Sequence, residues 1–222
     1  MNRKIIAISW AITALAVCAV LAAPVTASPV VTDTDPPGVA RVVPVGTKLI
    51  ATNTGNIRMT TSLGTLECTK AVLTGELVKN SGTEIEGTIT TASFTGTGAE
   101  ERCTTAFLGN IKVTPKKLPW CLKATNKMTA DTFELKSGSC GGALGSMEFT
   151  LDSSTVGECT YTKASVTGTS TTGFGGSSNI SEAEFTKSAG SGFCPGSGKL
   201  DMTFDHYTDG KEHTSANQTW TS

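Results

Sequence analysis

Hydrophobic and polar residues alternate one by one along most of the chain, in short runs that turn residues interrupt about every ten positions. No window sets apolar residues at the helical interval with capping residues at its ends, so the pattern predicts strands throughout. Ile57, Met59 and Leu63 keep one parity up to Gly64, and Leu66 and Cys68 resume on the other. A tight turn or bulge at Gly64 accounts for the change of phase. Ile85 and Ile89 share a face while Phe94 has the opposite parity, which predicts a second irregularity between Thr90 and Ala92. Ile111 and Val113 alternate with polar residues as far as Pro115, which cannot donate to a ladder.

The next run puts Leu118, Trp120, Leu122, Ala124 and Met128 on one face and Cys121, Lys123 and Thr125 on the other. Trp120 therefore reads as a core anchor. Phe133 with Leu135, Met147 with Phe149 and Leu151, and Leu200, Met202 and Phe204 with His206 mark three further half-buried strands. Asp209-Gly210 then turns the chain into a last short run ending at Trp220, and residues 169–179 form the loosest stretch, rich in Gly, Ser and Thr. Ten to twelve short strands without helices predict an all-β fold, an antiparallel β-sandwich or barrel.

The ends change this picture. Asn2-Arg3-Lys4 followed by the apolar run Ile5 to Ala22 has the form of an export signal, and Val25-Thr26-Ala27 places the cut after Ala27. A retained anchor is the competing reading, because the apolar run is nearly long enough to span a bilayer. The organisation expected is thus a signal peptide over 1–27, an extended linker over 28–45 and a folded domain over 46–222. Loss of Arg3 and Lys4 takes the formal charge from −1 to −3. So weak and mixed a charge excludes the basic stripe that nucleic acid or an anionic membrane requires.

Seven cysteines less Cys18 of the signal leave six, an even number in a chain sent to an oxidising compartment. Six thiols allow 15 pairings. Two segments narrow the choice: Cys68 to Cys103 and Cys159 to Cys194 both span 35 residues. In each, a phenylalanine (Phe94, Phe185) stands nine residues before the second cysteine, a Thr-Gly pair (Thr74-Gly75, Thr167-Gly168) follows the first, and a glutamate (Glu67, Glu158) precedes it. The agreement reads as a duplicated unit with copies centred on 57–114 and 147–207. If the unit was copied with its bridge, Cys68 pairs with Cys103 and Cys159 with Cys194, leaving Cys121 for Cys140. Thiols scattered singly, without a C-x-x-C pair, speak against a zinc framework.

Candidate chemistry is sparse. His206 and His213 are the only histidines, and Asp201, Asp205 and Asp209 lie near them in the chain, so a general base or metal site would draw on this group. On a strand, however, Asp205 and His206 point to opposite faces, and His206 falls in phase with the core residues before it. No serine has the G-x-S-x-G spacing of a hydrolase elbow, and Gly173-Phe174-Gly175-Gly176 lacks the strand-to-helix setting of a phosphate loop. Trp120, Trp220, Tyr161 and Tyr207 are the aromatics with which a glycan site would be built, and most of them have core parity.

The export signal, the run Thr60-Thr61-Ser62-Leu63-Gly64 ahead of a cysteine, Phe94 before Cys103, Leu118-Pro119-Trp120 and Cys194-Pro195-Gly196-Ser197 together carry a resemblance. Over residues 46–210 the chain resembles the uncharacterised secreted β proteins of soil actinobacteria. It is also loosely similar to exported proteins described as activators of alkane oxidation, which carry a comparable Leu-Pro-Trp between cysteines. The resemblance implies an exported β scaffold and supplies no catalytic residue; Cys121, directly after the tryptophan, departs from the pattern.

The reading that follows is a secreted or cell-surface, non-enzymatic β scaffold with no cofactor and no metal. Its partner is an extracellular protein or cell-envelope component, with neither nucleic acid nor, once the signal is cleaved, a membrane involved. Two other readings stand beside it: a secreted binder of a small apolar ligand or glycan, and a hydrolase or metal enzyme centred on His206 and His213.

Overall fold

The computed structural model describes residues 30–33, 41–81, 84–127, 130–170, 173–174, 177–208 and 218–221. Within them lie eighteen strands, one 3-10 turn at Ala99–Glu101 and no α-helix. The first half contains β1 (Val30–Asp33), β2 (Arg41–Val42), β3 (Lys48–Asn53), β4 (Ile57–Thr61), β5 (Gly64–Cys68), β6 (Lys70–Ser81), β7 (Glu84–Thr95), β8 (Cys103–Thr105) and β9 (Gly109–Lys116). The second contains β10 (Trp120–Lys127), β11 (Ala130–Ser137), β12 (Met147–Ser153), β13 (Gly157–Lys163), β14 (Val166–Ser170), β15 (Gly173–Phe174), β16 (Ser177–Gly190), β17 (Ser197–Thr208) and β18 (Gln218–Thr221).

Strands are more numerous than the alternation predicts, and four are long: β6, β7 and β17 have 12 residues and β16 has 14. They reach that length because bulges re-phase them. In the β6–β7 ladder the partner of Thr74 is Thr91 and that of Gly75 is Ile89, so Thr90 is the extra residue, inside the interval where parity predicts an irregularity. The change of phase at Gly64 is a two-residue hairpin, with Thr61 opposite Gly64.

Fourteen strands form one antiparallel sheet that closes on itself. Its pairings trace two circuits of eight strands each. The first runs β17, β4, β5, β8, β9, β12, β13, β16 and back to β17. The second runs β17, β3, β6, β7, β10, β11, β14, β16 and back to β17. Long β16 and β17 belong to both, and the pairing of Phe94 with Val113 joins the circuits on the far side. Closure gives each of these strands a neighbour on both sides, which shortens the edge on which another chain could pair.

The β4–β5 and β6–β7 hairpins lie around Cys68, and the β12–β13 hairpin and the β14–β16 pairing lie around and after Cys159. The two segments exchange partners reciprocally: β4 pairs with β17, and β12 pairs with β9.

Alternate residues of the strands fill the interior. Phe149 sits at its centre, edge-on to Phe94, Trp120 and Phe185 with centroids 5.6, 5.3 and 5.3 Å away. Trp120 is 2% exposed and its indole N–H donates to the Lys116 carbonyl at 3.1 Å, so the predicted anchor is buried and satisfied. Cys121, on the opposite face, is buried as well, because the loop after β11 folds back over β10. That loop is closed by reciprocal backbone bonds between Ser137 and Gly145 (3.1 and 2.8 Å) and by the Ser137 hydroxyl donating to the Lys117 carbonyl at 2.6 Å.

Disulfides join Cys68 to Cys103, Cys121 to Cys140 and Cys159 to Cys194, the set that the equal spacing predicts. The 28–45 segment differs from a plain tether. β1 pairs with β18 and with β2 in a separate four-stranded sheet, and Val43 is 3% exposed within the core. Backbone pairing needs no apolar period, which is why alternation gives no sign of these strands. Residues 1–27 lie outside the described residues.

Candidate functional site

Around the first circuit the strands alternate in direction, so its four hairpins, β4–β5, β8–β9, β12–β13 and β16–β17, all turn at the same end. The first three turns each have a hydroxyl residue as a brace, the local bonding that makes Ser and Thr turn formers. Thr61 Oγ1 donates to the Gly64 carbonyl at 2.9 Å and accepts from the Leu63 N–H at 3.2 Å. Thr105 Oγ1 accepts from the Phe107 and Leu108 N–H groups at 3.2 and 2.9 Å, and Ser153 Oγ accepts from the Thr155 N–H at 3.1 Å. The β8–β9 and β12–β13 turns close on Gly109 and Gly157, whose φ values of 68° and 75° are left-handed while a Cβ there would meet nothing. Backbone conformation alone accounts for glycine at both positions.

Bonds also run from turn to turn. Ser153 Oγ donates to the Leu108 carbonyl at 3.3 Å, and Ser191 Oγ to the Val156 carbonyl at 2.9 Å. Beneath the fourth turn the Tyr161 hydroxyl donates to the Pro195 carbonyl at 3.0 Å, and burial pushes this phenol above its ordinary pKa. The Cys159–Cys194 bridge ties the same turn to β13.

Leu63, Leu108, Val156 and Pro195, one from each turn, line a hollow of about 30 Å³ at this end. A second of about 30 Å³ lies against it, lined by Ile57, Met59, Phe94 and Phe185 among others, and both touch Leu66 and Leu151. Ligand pockets begin at roughly 300 Å³. Each hollow is therefore a packing gap in the axis of the circuit, too small for an apolar ligand or a sugar as it stands.

The outer surface of this end is where the chain departs from ordinary burial. Phe107, in the second turn, is 77% exposed and Phe193, in the fourth, is 79% exposed. Phe107 lies across the first turn, where a Cβ on Gly64 would come 3.3 Å from its Cδ2. Nearby charge is mixed: Arg102 sits between Glu100 and Asp152 at 3.1 and 3.8 Å.

The residues favoured for catalysis have other surroundings. Asp201 accepts from the Glu182 N–H at 2.7 Å and from Ser181 Oγ at 3.3 Å, bracing the bulge where β16 changes register against β17. Asp205 and His206 are successive residues of β17, paired with Thr52 and Ala51 of β3. Asp209 and His213 lie outside the described residues. One grouping was not visible in the sequence: Glu86 of β7, next to Lys123 of β10 at 2.9 Å, has its carboxylate within 4.8 Å of both sulfurs of the Cys121–Cys140 bridge. Only the register of β7 on β10 brings these residues together.

Comparison of the chain with family models, curated proteins and solved structures gave no match.

Proposed function

We propose that the protein is an exported, non-enzymatic scaffold that engages an extracellular protein or cell-envelope component through the end of the first circuit. Two phenylalanines more than three-quarters exposed, on turns braced by hydrogen bonds, carry this reading. Aromatic side chains held rigid lose little entropy on docking and are favoured as interface anchors. Export is supported by the 1–27 segment and by six cysteines paired in three bridges, a usage suited to an oxidising compartment. The duplicated unit belongs to the same proposal. Equal cysteine spacing, corresponding hairpins and reciprocal exchange of β4 and β12 support two copies that interlock to complete one frame.

The test is in-situ cross-linking on the producing cells, comparing the parent with a Phe107→Ser/Phe193→Ser double variant. The variant is expected to be secreted at the parent's level, with unchanged near-ultraviolet circular dichroism, and to lose the cross-linked species. Equal cross-linking by both proteins would remove this end as the docking surface.

A further inference from the structure

We propose that Glu86, Cys121 and Cys140 form a binding site for a soft divalent cation, zinc by its ligand set, once the Cys121–Cys140 bridge has been reduced by a dithiol. This bridge is the accessible one. Cys68, Cys103, Cys159 and Cys194 are all buried, whereas Cys140 is half-buried on a loop outside the circuit. A dithiol attacks through one thiolate at Cys140, forming a mixed disulfide and releasing the Cys121 thiolate; its second thiolate then releases Cys140 and leaves as a cyclic disulfide. Two electrons pass to the protein sulfurs, and the reagent is oxidised by the same two.

In the bridged protein the two sulfurs and a carboxylate oxygen of Glu86 already lie within 4.8 Å of one another. A tetrahedral zinc ion with sulfur arms of about 2.3 Å holds two thiolates roughly 3.8 Å apart, so the set needs a small opening and no rearrangement of strands. The opening falls on Cys140, which lies on the loop after β11 and takes no part in a strand ladder. Cation binding expels the two thiol protons. Charge is matched: two thiolates and Glu86 face the divalent ion and the Lys123 ammonium, which stands on Glu86 Oε1 at 2.9 Å and leaves Oε2 for the metal. Glu86 is held for this role, its side chain only 12% exposed. Three protein ligands leave a fourth position to water, the pattern of an open zinc site.

The experiment uses the full secreted protein, treated with a dithiol under native conditions and then titrated with cobalt(II) as the spectroscopic probe. Alkylation and peptide mapping are expected to find only Cys121 and Cys140 opened. Cobalt is expected to bind at one equivalent with a thiolate charge-transfer band, absent from the unreduced protein and abolished by an equivalent of zinc. Glu86→Gln, which leaves all three bridges in the oxidised protein, is expected to weaken cobalt binding by about tenfold or more. Opening of another bridge first, absence of the band, or a Glu86→Gln variant that binds as tightly as the parent would each overturn the site.

Discussion

A methyl group on Gly75 would run into the carbonyl oxygen of Thr88 and stand 2.9 Å from the Ile89 Cα; one on Gly168 would strike the Asn179 carbonyl and the Phe133 ring. In both cases the obstacle includes backbone of the neighbouring strand, which cannot swing aside as a side-chain tip can. Gly75→Ala and Gly168→Ala are therefore each expected to lower the unfolding free energy by about 2–3 kcal/mol, seen as a fall in the urea midpoint with the slope unchanged. A midpoint equal to the parent's would mean that the strands separate more easily than the ladder implies. The Thr-Gly pairs are visible in the sequence as a repeated signature, but their cause is a close approach of strands that only the folded register creates. Trp120 was legible because strand parity suffices to place it. Asp201 was not: beside two histidines it has the look of chemistry, and its work is to hold a bulge.

At the scale of the elements, strand existence is the legible part, because alternation survives wherever one face meets the interior. Irregularities could be located where parity broke, a hairpin at Gly64 and a bulge at Thr90, whereas β1 and β2 were hidden because their pairing with β18 and with each other demands no apolar pattern. The bridges follow from spacing that the two segments share, and their energetics follow from the chain they enclose. The Cys68–Cys103 bridge closes 35 residues and Cys121–Cys140 closes 19. On the loop-entropy model these restrict the unfolded chain by about 4 and about 3 kcal/mol. Replacing both cysteines of a pair by serine is expected to cost more at Cys68–Cys103, where both positions are buried and the added hydroxyls also lose solvation, than at Cys121–Cys140. Chemical denaturation of the two double variants checks the order, and the reverse order would show that the loop over β10 contributes more than its length indicates.

For the whole molecule, the sequence limits the answer to an all-β fold with three cross-links and leaves its closure open. Which strands neighbour one another across the two segments depends on long-range pairings, β4 with β17 and β9 with β12, that carry no local signal. The candidate site is hidden for the same reason: Phe107 and Phe193 are far apart in the chain, and only the common direction of the four hairpins sets both at one end. The candidate enzyme group, by contrast, is prominent in sequence because its residues all fall between Asp201 and His213, and Asp201 is engaged in bracing the bulge of β16. We propose a frame exported from the cell, locked by its three sulfur bridges. Mass spectrometry of the intact, unreduced protein taken from the culture medium of its producer tests this most directly. The account predicts a chain beginning at Ser28 that has lost six thiol hydrogens and yields the peptide pairs Cys68–Cys103, Cys121–Cys140 and Cys159–Cys194. A chain still carrying residues 1–27, thiols open to alkylation after denaturation without reductant, or a Cys68–Cys159 link would contradict it.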